Sequence, residues 1–187
     1  ITDPVTGFTY PGPWIAACSD EEGLDLVRAG LAVLTSSGMI LRRGYTTGTT
    51  AAACCKAATL SLAEEPGKVS ILTPSGIRVC VPVEATCGRA SCCKYPGDYP
   101  GDATAGIRFI AECNPAGNGI SLYPGEGIGR FTRDTPRNRK GDPAISSPAL
   151  SSILAAIQEG LGTTGLPGVS IHLRVPRGEI VAKDTLN

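Results

Sequence analysis

At 187 residues the chain is long enough for one domain with a substantial core, burying about 70% of its unfolded surface. Its 17 basic and 17 acidic residues cancel, which excludes a broad electrostatic pull toward nucleic acid or a membrane surface; neither partner is expected, and homo-oligomerisation is left open. No apolar run approaches the roughly 20 residues that cross a bilayer, and residues 1–14 lack a basic stretch followed by a hydrophobic one, so a cytoplasmic location is expected.

Along the chain, Ser19 followed three residues later by Glu22 reads as a helix start, and Leu24, Val27, Leu31 and Leu34 continue it as an amphipathic helix ending near Gly38. Residues 51–63 are nearly all small or apolar, which predicts a helix buried on most sides, with the preceding threonines as its cap. Residues 69–73 and 77–83 flank Pro74-Ser75-Gly76 as a hairpin with one buried face, and Pro82 places the second strand at an edge or a strand end. Residues 107–112 and 119–123 are further strand candidates, separated by Asn114-Pro115 and Gly117-Asn118. Leu150, Ile153, Leu154, Ile157 and Leu161 share one helical face and predict a helix over 147–161. Val169, Ile171, Leu173 and Val175 then alternate with polar residues in a last strand. The fold class expected is α+β, a mixed or mainly antiparallel sheet packed against the 51–63 and 147–161 helices.

The eight cysteines include the doublets Cys54-Cys55 and Cys92-Cys93 but no C-x-x-C pair, so they are read as reduced structural residues and no metal site is expected. Cys87, Cys92 and Cys93 are the one cluster that a metal could use, with weak spacing support. His172, the single histidine, lies on the polar face of a predicted strand with no acid paired to it in sequence, and no catalytic triad is nominated.

Four glycine-rich polar segments interrupt the regular pattern and are the candidates for a site. In the first, Arg42-Arg43-Gly44-Tyr45-Thr46-Thr47-Gly48-Thr49-Thr50, two arginines, hydroxyls and the free N–H groups of a helix start suit an anion, although the same features would also serve only to cap a buried helix. The second, residues 94–106, sets Asp98 and Asp102 four residues apart among prolines and glycines, able to accept hydrogen bonds from a ligand or to make Asx turns. The third, residues 125–133, has the wrong spacing for a dinucleotide fingerprint and runs into Asp134-Thr135-Pro136 where a helix should begin; its arginines belong to a basic run through Arg137, Arg139 and Lys140. The fourth, Gly141-Asp142-Pro143-Ala144-Ile145-Ser146, leads into the 147–161 helix.

R-R-G-Y-T-T-G-T-T-A-A-A at 42–53, K-Y-P-G-D-Y-P-G-D-A-T-A-G at 94–106, G-E-G-I-G-R at 125–130 and G-D-P-A-I-S at 141–146 resemble, in order and spacing, the signature segments of the CbiD family. The opening D-P-V-T-G-F-T-Y-P and the closing A-K-D-T-L-N also look like that family, particularly its archaeal members. The resemblance implies methylation of carbon 1 of cobalt-precorrin-5B by S-adenosyl-L-methionine, giving cobalt-precorrin-6A in anaerobic cobalamin biosynthesis, with cobalt carried by the tetrapyrrole substrate. It implies that residues 1–187 are the N-terminal α+β domain and that the family's glycine-rich C-terminal domain is absent from this chain. On this reading Arg42, Arg43, Arg130, Arg133 and the turn Thr46, Thr47, Gly48, Thr49, Thr50 take the substrate's acetate and propionate arms. Asp98 and Asp102 orient cofactor hydroxyls or the macrocycle, and Lys94, Tyr95, Gly97, Thr104, Gly125, Glu126, Gly127 and Gly129 complete the binding surface. A methyl transfer of this kind needs alignment and exclusion of water more than a strong base. The alternatives are a noncatalytic tetrapyrrole-binding module, a truncated paralogue, or a metal-storage role for the cysteines.

Overall fold

Asp20 sets the start of the first substantial helix. After a short helical turn, α1 (Gly12–Ala16), α2 (Glu21–Arg28) begins where the Gly23 N–H donates to the Asp20 carboxylate at 2.8 Å. The expected cap, Ser19, stands one residue outside. The helix stops at Arg28, short of Leu31 and Leu34, because Gly30 turns left-handed (φ 75°) and redirects the chain into β1 (Ala32–Leu34). β1 pairs antiparallel with β2 (Ile40–Arg42), and Leu24, Val27, Leu34 and Tyr10 form a small separate core. The computed structural model of the chain describes residues 1–136 and 138–184; Arg137 of the basic run and the closing Thr185-Leu186-Asn187 lie outside the described residues.

The expected buried helix is α3 (Thr47–Leu60), which starts four residues earlier than its alanine-rich stretch because Thr46 caps it: Thr46 Oγ1 accepts from the Thr49 N–H at 3.1 Å. The hairpin β3 (Lys68–Leu72) and β4 (Arg78–Pro82) turns Val69, Ile71 and Val81 inward, and Pro82 is the last residue of its strand, as expected. A second hairpin, β5 (Glu84–Thr86) and β6 (Arg89–Cys93), occupies a stretch where no strand is predicted. Cys87 (φ 45°) and Gly88 (φ 79°) supply the two left-handed residues that a tight two-residue turn requires.

The remaining elements are β7 (Arg108–Pro115), β8 (Gly119–Pro124), α4 (Ser147–Thr164), β9 (Gly168–Arg174) and α5 (Gly178–Asp184). β5, β6, β7, β9 and β8 lie side by side in that order in a five-stranded mixed sheet, antiparallel except for the parallel β8–β9 pair. The α+β class and the mixed sheet are therefore as predicted. β7 and β8, consecutive in sequence, are separated by β9.

α3 and α4 cover one face of this sheet. A Cβ on Gly48 would stand 2.8 Å from Ala149, and one on Gly160 would stand 3.1 Å from Thr59. The contacts advance in the same direction along both helices, so α3 and α4 run parallel and start at the same end of the molecule. The buried stripe of α4 is Ile153, Ala156, Ile157, Gly160 and Leu161; Leu150 and Leu154 of the predicted face are 39% and 37% exposed, because the contact with α3 selects small residues. Among the described residues no helix is long and apolar enough to cross a membrane.

Candidate functional site

The shared start of α3 and α4 is where the four glycine-rich segments meet. Residues 42–45 and 95–98 lie side by side as paired backbone: Tyr45 N–H donates to the Tyr95 carbonyl at 3.1 Å, Asp98 N–H donates to the Arg42 carbonyl at 3.0 Å, and Arg43 bridges Gly97. Gly97 (φ 73°) permits this, since a Cβ there would collide with the Arg42 carbonyl oxygen, and one on Gly44 would collide with the Pro96 backbone. Two segments about fifty residues apart thus join to line one cleft of about 780 Å³. Val33, Leu41 and Tyr99 also line it, three residues that sequence reading does not nominate; only Tyr99 lies inside a motif.

The charges on this cleft are largely committed to one another. Lys94, 8% exposed, is paired with Asp102, whose other oxygen accepts from the Thr104 N–H (2.9 Å) and hydroxyl (2.6 Å). The ammonium of Lys94, then the Thr104 donors, hold the Asp102 carboxyl well below the usual carboxylate range, at about 2. Asp98 accepts from the Arg42 N–H at 2.9 Å through one oxygen. Arg43 gives both terminal nitrogens to Asp3, at 2.5 and 3.1 Å. Arg42 keeps an exposed guanidinium with no partner among the described residues.

A second cleft of about 400 Å³ adjoins the first, and Thr47 and Thr104 line both. Its walls are Ile107 just before β7, Phe109 of β7, Ile128 and Ile145 of the glycine-rich segments, and Val181 of α5. The Thr47 and Gly48 N–H groups at the start of α3 have no partner among the described residues, while Thr49 and Thr50 are buried and bonded within the cap. Residues 125–127 run along the end of β9, Gly125 N–H donating to the Leu173 carbonyl at 2.8 Å and the Glu126 carbonyl accepting from Val175 N–H at 2.8 Å. Gly127 (φ 73°) is pressed so closely on Val175 that a Cβ would collide with its carbonyl oxygen. Gly129 accepts from the Ala144 N–H at 2.7 Å, which joins the third segment to the fourth.

Several nominated residues stand elsewhere. Arg130 spends its guanidinium on the Gly141 and Pro124 carbonyls, at 2.8 and 3.1 Å, clamping the loop between β8 and α4. Arg133 is exposed and lines neither cleft, and Glu126 is likewise exposed outside them. Tyr95 packs against Tyr45 with the rings tilted by 49° and their centroids 5.9 Å apart, and it does not line the larger cleft. His172 stacks on Tyr123 at 4.9 Å on the sheet face away from the helices. Cys92 is buried against α3 while its strand neighbour Cys93 and the turn residue Cys87 are exposed, so strand alternation separates the three.

A family model described as CbiD matches residues 34–187. A protein from Methanoregula boonei named cobalt-precorrin-5B C(1)-methyltransferase is 57% identical over 187 residues, which cover 100% of this chain and 56% of that protein. A protein of the same name from Methanospirillum hungatei is 55% identical over 188 residues, with the same coverage. The crystal structure of cobalamin biosynthesis protein (cbiD) from Archaeoglobus fulgidus superposes with a TM-score of 0.84 at 37% identity, covering 99% of this chain and 60% of that one. The chain thus spans little more than half the length of the relatives it matches.

Proposed function

Because the chain belongs to the CbiD family, we propose that it supplies the substrate and methyl-donor clefts of an enzyme that methylates carbon 1 of cobalt-precorrin-5B, giving cobalt-precorrin-6A. The observation that carries this reading is the meeting of four segments, spread over residues 42–146, around two adjoining clefts that share Thr47 and Thr104. A transfer between two bound molecules needs two seats with a common boundary.

The larger cleft suits the macrocycle. Arg42 offers an uncommitted cation to an acetate or propionate arm, and the apolar residues Val33, Leu41 and Tyr99 suit the ring faces. The smaller cleft fits S-adenosyl-L-methionine: its apolar walls suit an adenine, and the open Thr47 and Gly48 N–H groups at a helix start suit a carboxylate. When bound, S-adenosyl-L-methionine supplies an electrophilic methyl on its sulfonium. Asp102 is ionised at neutral pH and committed to Lys94 and Thr104, so it fixes the boundary between the clefts and donates no proton. Thr104 stands at that boundary with its hydroxyl pointed into Asp102, and the apolar walls keep water from the transfer path.

The test uses the full-length protein, with S-adenosylhomocysteine and cobyric acid as separate calorimetric ligands and turnover of cobalt-precorrin-5B followed by mass. Ala144→Phe, which fills the smaller cleft, is expected to weaken S-adenosylhomocysteine at least about tenfold and leave cobyric acid unchanged. Arg42→Met is expected to do the reverse, also by about tenfold, the effect of one charge-assisted contact. The opposite pattern would exchange the two seats; a wild-type protein that adds no methyl to the macrocycle would end the enzyme reading.

A further inference from the structure

The first ten residues form a hook whose tip is tied to the larger cleft from behind. Asp3 N–H donates to the Phe8 carbonyl at 2.8 Å, Gly7 N–H donates to the Asp3 carbonyl at 2.8 Å, and Tyr10 N–H donates to the Ile1 carbonyl at 2.9 Å, closing the hook on itself. Asp3 is 2% exposed at its tip. Its carboxylate accepts from the Val5 N–H at 3.0 Å, the Thr6 hydroxyl at 2.5 Å and both terminal nitrogens of Arg43. The hook seats against Gly30, where a Cβ would stand 2.8 Å from Pro4, and Arg43 also donates to the Gly30 carbonyl at 3.4 Å.

Arg43 is therefore held from three sides: by Asp3 through its side chain, by the Leu31 carbonyl on its N–H at 2.8 Å, and by Gly97 across the cleft wall. The residues that follow it, Gly44 to Thr47, are that wall and lead into the start of α3. A bidentate pair with a buried carboxylate fixes geometry in a way that an exposed ion pair does not, because the carboxylate, 2% exposed, has no alternative partner in water. It also neutralises Arg43, leaving Arg42 as the cation open to a ligand. Asp3 lies outside residues 34–187, the part matched by the family model.

We propose that Asp3 is a positioning residue of the larger cleft, acting through Arg43: it holds the wall of residues 43–47 in place and withdraws the Arg43 charge from the ligand. This rests on the larger cleft being the seat of the macrocycle.

The experiment compares Asp3→Asn, Arg43→Gln and the double variant of the full-length protein, by hydrogen exchange resolved to peptides and by steady-state kinetics with cobalt-precorrin-5B. Exchange in residues 42–47 and 95–98 is expected to quicken about tenfold in each single variant while α4 is unchanged, and KM for the macrocycle to rise about tenfold with kcat within about twofold. The double variant is expected to be no worse than the worse single, since both remove one contact. Thr6→Val, which takes one donor from the same carboxylate, is expected to give the same pattern at about twofold and keeps the test open if Asp3→Asn does not fold. Quickened exchange throughout α4 would make Asp3 a residue of general stability, and single effects that multiply in the double variant would separate it from Arg43; either overturns the proposal. A wild-type protein without turnover would remove the reading of the cleft, and the exchange arm would still decide whether Asp3 holds the wall.

Discussion

Lys94 and Asp102 illustrate how a charge can sit in the wall of a cleft and still be unavailable to it. Lys94 is 8% exposed, and a buried ammonium is tolerated because a carboxylate meets it and the Thr104 donors satisfy that carboxylate in turn. The Asp102 carboxyl is lowered from 3.8 to about 2, so its contribution to stability is fully present above 3.8 and is lost as pH falls through about 2. Urea midpoints measured from pH 6 to pH 2 are expected to fall more steeply across that interval in the wild type than in Asp102→Asn, which has nothing left to protonate. Equal slopes would show that the pair contributes no linkage. Arg43 and Arg130 carry a related lesson: both stand in motifs that suit an anion, yet one is occupied by Asp3, forty residues away, and the other by main-chain carbonyls. Residue type was readable in the motif; the partner that consumes it was not, because Asp3 comes from a distant part of the chain and the carbonyls that hold Arg130 are set by the path of its loop.

At the scale of elements, helices α3 and α4 were legible from composition and period, and their packing was legible in part. Periodicity identifies an apolar stripe, but the stripe used by α4 is shifted toward Ala156 and Gly160, because a close parallel approach to α3 rewards small side chains. Two glycines of α4 separate these effects. Gly160→Val would press on Thr59 and is expected to destabilise by about 1–3 kcal/mol through overpacking. Gly162→Ala meets nothing within 4 Å and is expected to stabilise by about 0.5–1 kcal/mol through helix propensity. Thermal or urea unfolding of the two variants checks both signs. α2 was predicted too long because Gly30 stands inside an apparently continuous apolar period, and β5 and β6 were missed because β5 is only three residues long and β6 ends in the adjacent Cys92-Cys93, so neither shows a clear alternation.

Over the whole molecule, one sheet face is covered by two parallel helices and the other carries charged and polar side chains, so the cysteines divide by face and depth. Cys54, Cys55, Cys92 and Cys113 are buried; burial raises the Cys55 and Cys113 thiols, and contact with Cys92 together with burial raises Cys54. A thiol-disulfide reagent applied to the folded 187-residue chain is expected to label Cys80, Cys87 and Cys93 quickly and Cys18 more slowly, with the four buried thiols reacting only on unfolding. Labelling of Cys54 or Cys92 in the native protein would contradict this packing.

The sequence by itself determined the helices α3 and α4, the β3–β4 hairpin, the strands β7, β8 and β9, the α+β class and the four segments that carry the family resemblance, because backbone propensity, capping and hydrophobic period are local. Only the tertiary structure decided that β9 lies between β7 and β8, that α3 and α4 start at the same end, and that the four segments close around two clefts sharing Thr47 and Thr104. Period and composition specify which face of an element is buried, but the neighbour that buries it, and the partner that neutralises each charge, are fixed by contacts between residues far apart in the chain.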